Sequence, residues 1–296
     1  MIHERKSHSM SDYKRVLTIQ DISCIGQCSL TVALPLLSCC GLETAVLPSA
    51  VLSTHTGGFK GYTFRDLTED MPKIAEHWRK EDLRFDAIYS GYLGSARQVE
   101  IVREIMTTLE KDGCVRIVDP AMADNGRMYA GFDDAFAGHM KELCSVGQIL
   151  IPNITEACFL TGTPYREQYD REYIDRLING LAPGGMQTVV LTGVSFAENT
   201  TGVWVRKDGE DWYYEHRRIA KGCHGTGDIY SSVFVGALMR GLDVRTAVRI
   251  AADYVVACLE RTAQNASHWY GAMYETEIPY LMRLLETESA GTEKNA

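Results

Sequence analysis

The chain has no excess of positive charge: 30 lysines and arginines stand against 39 aspartates and glutamates, a net charge of −9 over 296 residues. Without a basic surplus there is little to displace counterions from a phosphate backbone, which argues against sequence-independent nucleic-acid binding. There is no CxxC pair, and the nine cysteines, an odd number, are scattered along the chain. Zinc-ribbon and disulfide-framework readings fall away, and reduced thiols in a cytoplasmic protein are the expectation. No apolar run reaches membrane-spanning length, and the first 14 residues are polar and charged, with no apolar signal core. Internal repeats, low-complexity segments and linkers rich in Pro, Gly or Ser are also missing. One domain is expected over 15–287, between a flexible N-terminal segment at 1–14 and a flexible tail at 288–296. Several catalytic signatures are absent too: no GxxxxGK[ST] loop, no GxGxxG after the first strand, no GxSxG elbow and no HExxH helix. The P-loop route to phosphate is thereby removed, and hydrolase and metalloprotease readings are weakened.

What is present is enough apolar sequence, 45%, to build a substantial core. Short apolar runs alternate with longer amphipathic ones, the rhythm of an α/β protein with a mostly parallel sheet. Strands are expected at 15–20, 44–52, 86–90, 114–119, 148–151 and 188–192. Helices are expected at 27–40, 66–80, 95–111, 155–161 and 170–181. Segments 202–206 and 212–217 alternate about Asp208-Gly209 and read as a hairpin. Long helices then follow at 228–240, 244–261 and 278–286. In such a sheet, ligands sit beyond the carboxyl ends of the strands, so the polar residues there carry the functional reading.

The strongest local signal is Gly222-Cys-His-Gly-Thr-Gly-Asp228 ahead of a small-residue helix. Gly225, Thr226 and Gly227 can expose backbone N–H groups where the helix dipole is positive, a cradle for an anion. Asp228, at its mouth, is placed to take a proton from an attacking alcohol while the amides hold a transferring phosphoryl group. Taken alone, the same motif is read equally well as a cap and a turn. Other strand ends add to it. Asp119-Pro-Ala-Met-Ala-Asp124 puts two carboxylates in one loop, Asn153-Ile-Thr-Glu156 adds an amide and a third, and Thr192-Gly193 closes the next strand. Each is an ordinary cap or turn by itself; together they suit Mg²⁺ and a triphosphate. On the other side, His55-Thr56-Gly57-Gly58-Phe59 forms a candidate lid after Leu52, and Tyr92 offers a ring to a flat substrate. A surface histidine and a half-buried core tyrosine are the plainer alternatives. Asp21 adds an acidic group at the end of the first strand, and Cys223-His224 is either a reactive pair or lid packing.

The ordered set Leu17-Thr-Ile-Gln20, Leu52-Ser-Thr-His-Thr-Gly57, Tyr89-Ser-Gly-Tyr92, Val118-Asp-Pro120, Ile151-Pro-Asn153 with Glu156, Val190-Leu-Thr192 and Gly225-Thr-Gly-Asp228 resembles the pyridoxal kinases of the ribokinase superfamily. The match runs from about 15 to 286. It implies a ribokinase-like three-layer sandwich and ATP-dependent phosphorylation of the 5′-hydroxymethyl group of pyridoxal, pyridoxine or pyridoxamine. By the same resemblance Asp228 is the general base, and Gly225, Thr226 and Gly227 form the anion hole. Asp119, Asp124, Asn153, Glu156, Thr192 and Gly193 line the ATP side, with Asp119 and Glu156 toward Mg²⁺. Asp21, Leu52, His55, Thr56, Tyr92 and Cys223 would border the vitamer. A homodimer, and in many relatives a monovalent cation such as K⁺, are also implied. Two positions depart from the pattern: Asp21 stands where many pyridoxal kinases have serine, and Cys223-His224 is closer to the hydroxymethylpyrimidine kinases. The alternatives are accordingly a hydroxymethylpyrimidine kinase, a pyridoxal phosphate-binding protein without catalysis, and, more weakly, a sugar kinase.

Overall fold

The computed structural model describes residues 13–185, 187–220 and 222–293, without the side chains of 289–293. Of the two terminal segments expected to be flexible, residues 1–12 and 294–296 lie outside the described residues.

Six parallel strands form the centre of one nine-stranded sheet: β1 (Arg15–Ser23), β2 (Glu43–Leu52), β4 (Phe85–Ser90), β5 (Glu110–Val118), β8 (Ile149–Leu150) and β9 (Thr188–Val194). The short β3 (Phe64–Asp66) pairs antiparallel with β2 at one edge, and the hairpin β10 (Thr200–Lys207) and β11 (Glu210–Arg217) continues antiparallel from β9 at the other. The order is β11-β10-β9-β8-β5-β4-β1-β2-β3. Chain order reverses between β1 and β4, which opens a crevice beyond their carboxyl ends.

Alternation within each central strand divides the core. Leu17, Ile19, Ile88, Val118, Leu150, Val189 and Leu191 face a layer made by α2 (Met71–Lys80), α3 (Ala96–Thr108), α4 (Asp134–Val146), α5 (Ile154–Thr161) and α6 (Arg171–Leu181). Val16, Ala87, Tyr89, Ile117, Ile149 and Val190 face α1 (Leu30–Cys39), α7 (Thr226–Met239), α8 (Val244–Ala263) and α9 (Ile278–Glu293). Burial on both faces is why these strands read as nearly continuous apolar runs. The arrangement is the three-layer α/β sandwich that the resemblance implies.

Three local differences from the sequence reading have physical causes. The helix expected over 27–40 begins at Leu30, because Gly26, Gln27 and Ser29 all take positive φ and form a loop instead. The helix expected over 66–80 begins at Met71, since 64–66 pair with β2 and Pro72 lies in the first turn. The sequence reading missed α4 although Asp133 caps it and Phe136, Ala137, Met140, Leu143 and Cys144 form a buried stripe. Between β5 and α4 a small hairpin, β6 (Ala123–Asp124) and β7 (Arg127–Met128), stands off the sheet. No helix among the described residues is long and apolar enough to cross a membrane. No disulfide forms among them either.

Candidate active site

The polar residues singled out at strand ends, Asp124 excepted, lie at the carboxyl edge of the sheet, in the loops that follow it or at the helix starts beyond. Gly225 caps α7 at φ 81°, and a Cβ built there would lie 1.9 Å from the Gln27 carbonyl oxygen, so only glycine lets the two loops close on each other. No side chain caps this helix. The space above Gly227 is open, with no atom within 4 Å of where its Cβ would be. The first turn of α7, at the positive end of the helix dipole, thus has no side-chain cap and borders open space at Gly227.

Asp228, Asp119 and Asp21 lie together at that helix start, and Glu156 lies beside Asp119. Asp228, partly buried in its first turn, is pushed up to about 7 by burial and then by Asp119 and Asp21, against the backbone N–H of Ser29, which favours its charged form. Asp119, buried after β5, is likewise raised to about 7 by burial and accepts a 2.7 Å hydrogen bond from Ser231 Oγ, on the helix face of Asp228. Glu156, buried in the first turn of α5, is driven well above the usual carboxylate range by burial and by Asp119. Its oxygens accept from Met122 N at 3.2 Å and Asn153 N at 2.8 Å, while Asn153 accepts from Glu156 N and donates to Ala123 O at 2.8 Å. This reciprocal cap fixes the 119–124 loop over α5. Thr192 joins the same corner through its N–H to Pro152 O at 2.9 Å, and Gly193 follows it in the open. Asp124 instead sits exposed on the β6–β7 hairpin, where Asn125 donates to both its oxygens, so the two carboxylates of this loop occupy different depths.

Among the described residues no ion pair joins Asp21, Asp119, Glu156 or Asp228 to a lysine or arginine. Buried carboxylates that raise one another's pKa suit a divalent cation, which would relieve the repulsion. No group of three ligating side chains is arranged for a metal among the described residues. Asp119 and Glu156 are the carboxylates that would hold such a cation, with water and phosphate oxygens completing its shell.

On the opposite side, Asp21 is buried at the end of β1, raised by burial despite the Ser29 and Ser23 hydroxyls, with Ser23 Oγ donating at 2.9 Å. Burial, then Asp21 and Tyr62, push the half-buried Tyr92 phenol up to about 12. Leu52 is buried at the end of β2, and Thr56 is exposed beyond it. His55 is buried, with both ring nitrogens engaged: Nδ1 accepts from Gly57 N at 3.0 Å and Nε2 meets Tyr270 O at 2.6 Å. Cys223 packs against the α7–α8 core, and its carbonyl accepts from Thr226 Oγ1 at 3.5 Å.

Sequence reasoning missed several residues here. Ser29 holds φ 55° and ψ −135°, a strained backbone for serine, between Asp21 and Asp228. Cys28 lies beside the same two carboxylates, and burial with their charge keeps its thiol protonated. Burial, then the charge of Glu156, Asp124, Asp228 and Asp119, raise the phenol of Tyr129 on the 119–131 loop. The signal available for Ser231 was its i+3 spacing from Asp228 on one helix. Nothing local marked Ser29 or Tyr129.

A family description for phosphomethylpyrimidine kinase matches residues 59–273. The chain belongs to the phosphomethylpyrimidine kinase family. A pyridoxine/pyridoxal/pyridoxamine kinase of Bordetella pertussis is 27% identical over 266 residues, 84% of this chain and 89% of that one. A hydroxymethylpyrimidine/phosphomethylpyrimidine kinase of Helicobacter pylori is 27% identical over 199 residues, 66% and 71% of the two chains. Among solved structures, a candidate phosphomethylpyrimidine kinase of Bacteroides thetaiotaomicron, in a crystal form with pyridoxal, shares 32% identity at a TM-score of 0.84, covering 92% of this chain and 96% of that one. Pyridoxal kinase of Lactobacillus plantarum gives 28% and 0.84, covering 93% and 98%. The phosphomethylpyrimidine kinase family fold and the pyridoxal kinase-like character of the chain are thus established, and the choice between the two heterocycles is a separate question.

Proposed function

We propose that this protein transfers the γ-phosphoryl group of ATP to the 5′-hydroxymethyl group of a vitamin B6 vitamer, pyridoxal, pyridoxine or pyridoxamine. The observation that carries the reading is Asp228, a carboxylate raised to about 7 in the first turn of a helix that has no side-chain cap and borders open space at Gly227. A carboxylate so raised can accept a proton from an alcohol near neutral pH, and the amides of 225–227 can meet the charge of a migrating phosphoryl group.

The triphosphate belongs on the side of Asp119, Asn153, Glu156, Thr192 and Gly193, with Asp124 and Tyr129 at its rim. Asp119 and Glu156 would hold Mg²⁺, which when bound neutralises phosphate charge. The acceptor belongs on the side of Asp21, Leu52, Thr56 and Tyr92, with its hydroxymethyl group toward Asp228. The Bacteroides relative in a crystal form with pyridoxal supports the vitamer.

Hydroxymethylpyrimidine is the second reading, favoured by the family match and by Cys223-His224 ahead of Gly225, while the buried Asp21 carboxylate suits a hydrogen-bond donor on either heterocycle. The test is ADP release measured with pyridoxal, pyridoxine, pyridoxamine and hydroxymethylpyrimidine in turn. A B6 vitamer is expected to give the highest kcat/KM; a higher value for the pyrimidine would replace the substrate while leaving the chemistry in place. A homodimer and K⁺ dependence belong to the same proposal, tested by sedimentation and by exchanging K⁺ for Na⁺ in the assay.

A further inference from the structure

The segment after β2 does not hang free. Gly57 N–H donates to His55 Nδ1 at 3.0 Å, so that nitrogen carries no proton and Nε2–H is the donor to Tyr270 O at 2.6 Å. The His55 ring lies 5.1 Å from Phe59 and 5.0 Å from His224. Phe59 in turn lies 4.7 Å from Trp269 and 5.9 Å from Tyr270. Space for these rings comes from glycines: a Cβ on Gly26 would lie 1.9 Å from His55 Cδ2, and one on Gly57 would lie 2.5 Å from the His224 ring. Four loops, at 24–29, 53–59, 222–225 and 268–271, therefore meet around one imidazole. They enclose the side of the cleft where Asp21 and Asp228 sit.

We propose that His55 is a positioning residue that latches the 53–59 flap onto an aromatic platform, Trp269 and Tyr270, and so walls the acceptor side of the cleft against water. This rests on the kinase reading above and adds to it a role for a C-terminal segment that no motif marked. The imidazole acts through its neighbours. Its two hydrogen bonds tie Gly57 to Tyr270, and Phe59 and Trp269 close the seam. Burial, with His224 beside it, pushes its pKa down against the Tyr270 carbonyl and Asp21, which keeps the ring neutral and both bonds intact. In a phosphoryl-transfer site, such a wall matters because water competes with the hydroxymethyl group. When the flap is open, ATP and water give ADP and phosphate, the water proton passing to the base as the bond from the water oxygen to Pγ forms and the Pγ–O bond to ADP breaks.

Three variants separate this from a merely structural histidine. His55→Phe keeps a ring and loses both hydrogen bonds. His55→Asn keeps an acceptor near Nδ1, and Trp269→Ala removes the half-exposed platform without touching the core. His55→Phe is expected to raise the acceptor KM about tenfold. It should also increase acceptor-free ADP formation, with the KM for ATP unchanged. Trp269→Ala should reproduce the pattern, and His55→Asn should fall between His55→Phe and the unmodified chain. Hydrogen exchange at the Gly57 amide gives a readout independent of activity: slow in the unmodified chain, slow in His55→Asn and fast in His55→Phe. Unchanged Gly57 exchange in His55→Phe, or acceptor KM and ATP hydrolysis both unmoved in His55→Phe and Trp269→Ala, would overturn the latch. So would a loss that falls equally on ATP and acceptor. Full turnover in Asp228→Ala would instead count against the kinase reading and leave the exchange result to decide the latch.

Discussion

Asp228 and Asp119 are both raised to about 7, chiefly by burial, and the sign of their effect on activity and on stability follows from that. In the proposed reading Asp228 is the base and works only when ionised, so kcat/KM should climb as pH rises through about 7 and level off above it. Stability should move the other way. The folded chain keeps protons on these groups that the unfolded chain, with aspartates near an ordinary value of about 4, has already released. Their contribution to stability is full below that value and is lost as pH rises to about 7. Asp228→Asn removes one such buried charge and should raise Tm at pH 8 by about 2–4 °C, read by calorimetry. Gly225→Ala makes the opposite demand, a Cβ 1.9 Å from the Gln27 carbonyl at φ 81°. A cost of about 2–4 kcal/mol in urea unfolding is expected, with loss of turnover. At this scale the motif residues were legible because glycines and acids stand out against an apolar chain. Ser29 was not legible, because its role depends on a backbone conformation that serine rarely adopts and on carboxylates brought beside it by folding.

At the scale of elements, the start of α5 organises the side of the cleft proposed for the nucleotide. Asn153 and Glu156 cap each other and hold Met122 and Ala123, so one helix terminus fixes a loop from a different strand. Asn153→Ala breaks that tie. It is expected to cost about 1–2 kcal/mol of stability, as loss of a helix cap does, and to raise the KM for ATP more than the KM for the acceptor. Steady-state kinetics with each substrate varied will show the split. The elements themselves were largely readable. Period-two alternation gave the β10–β11 hairpin with its turn at Asp208-Gly209, where both residues take positive φ. Boundaries failed where tertiary pairing decided them. Residues 64–66 became β3 only because β2 offered an edge, and the start of α1 was set by the strained loop that wraps Gly225.

For the whole molecule, a parallel sheet buried on both faces by helices was readable from apolar runs separated by amphipathic segments. Strand order was not, since nothing local specifies that β1 lies between β2 and β4. That order is nonetheless what creates the cleft: it brings Asp21 from β1, Tyr92 after β4 and Asp119 after β5 to one crevice, and α7 delivers Asp228 to its floor. Membership of the phosphomethylpyrimidine kinase family and the likeness to pyridoxal kinases fit this assembly. The measurement that bears most directly on it is ADP release from ATP and pyridoxal by Asp228→Ala beside the unmodified chain, with ATP binding measured separately. The account predicts a fall in kcat of about 10²–10⁴-fold with ATP affinity retained; turnover equal to that of the unmodified chain would contradict it.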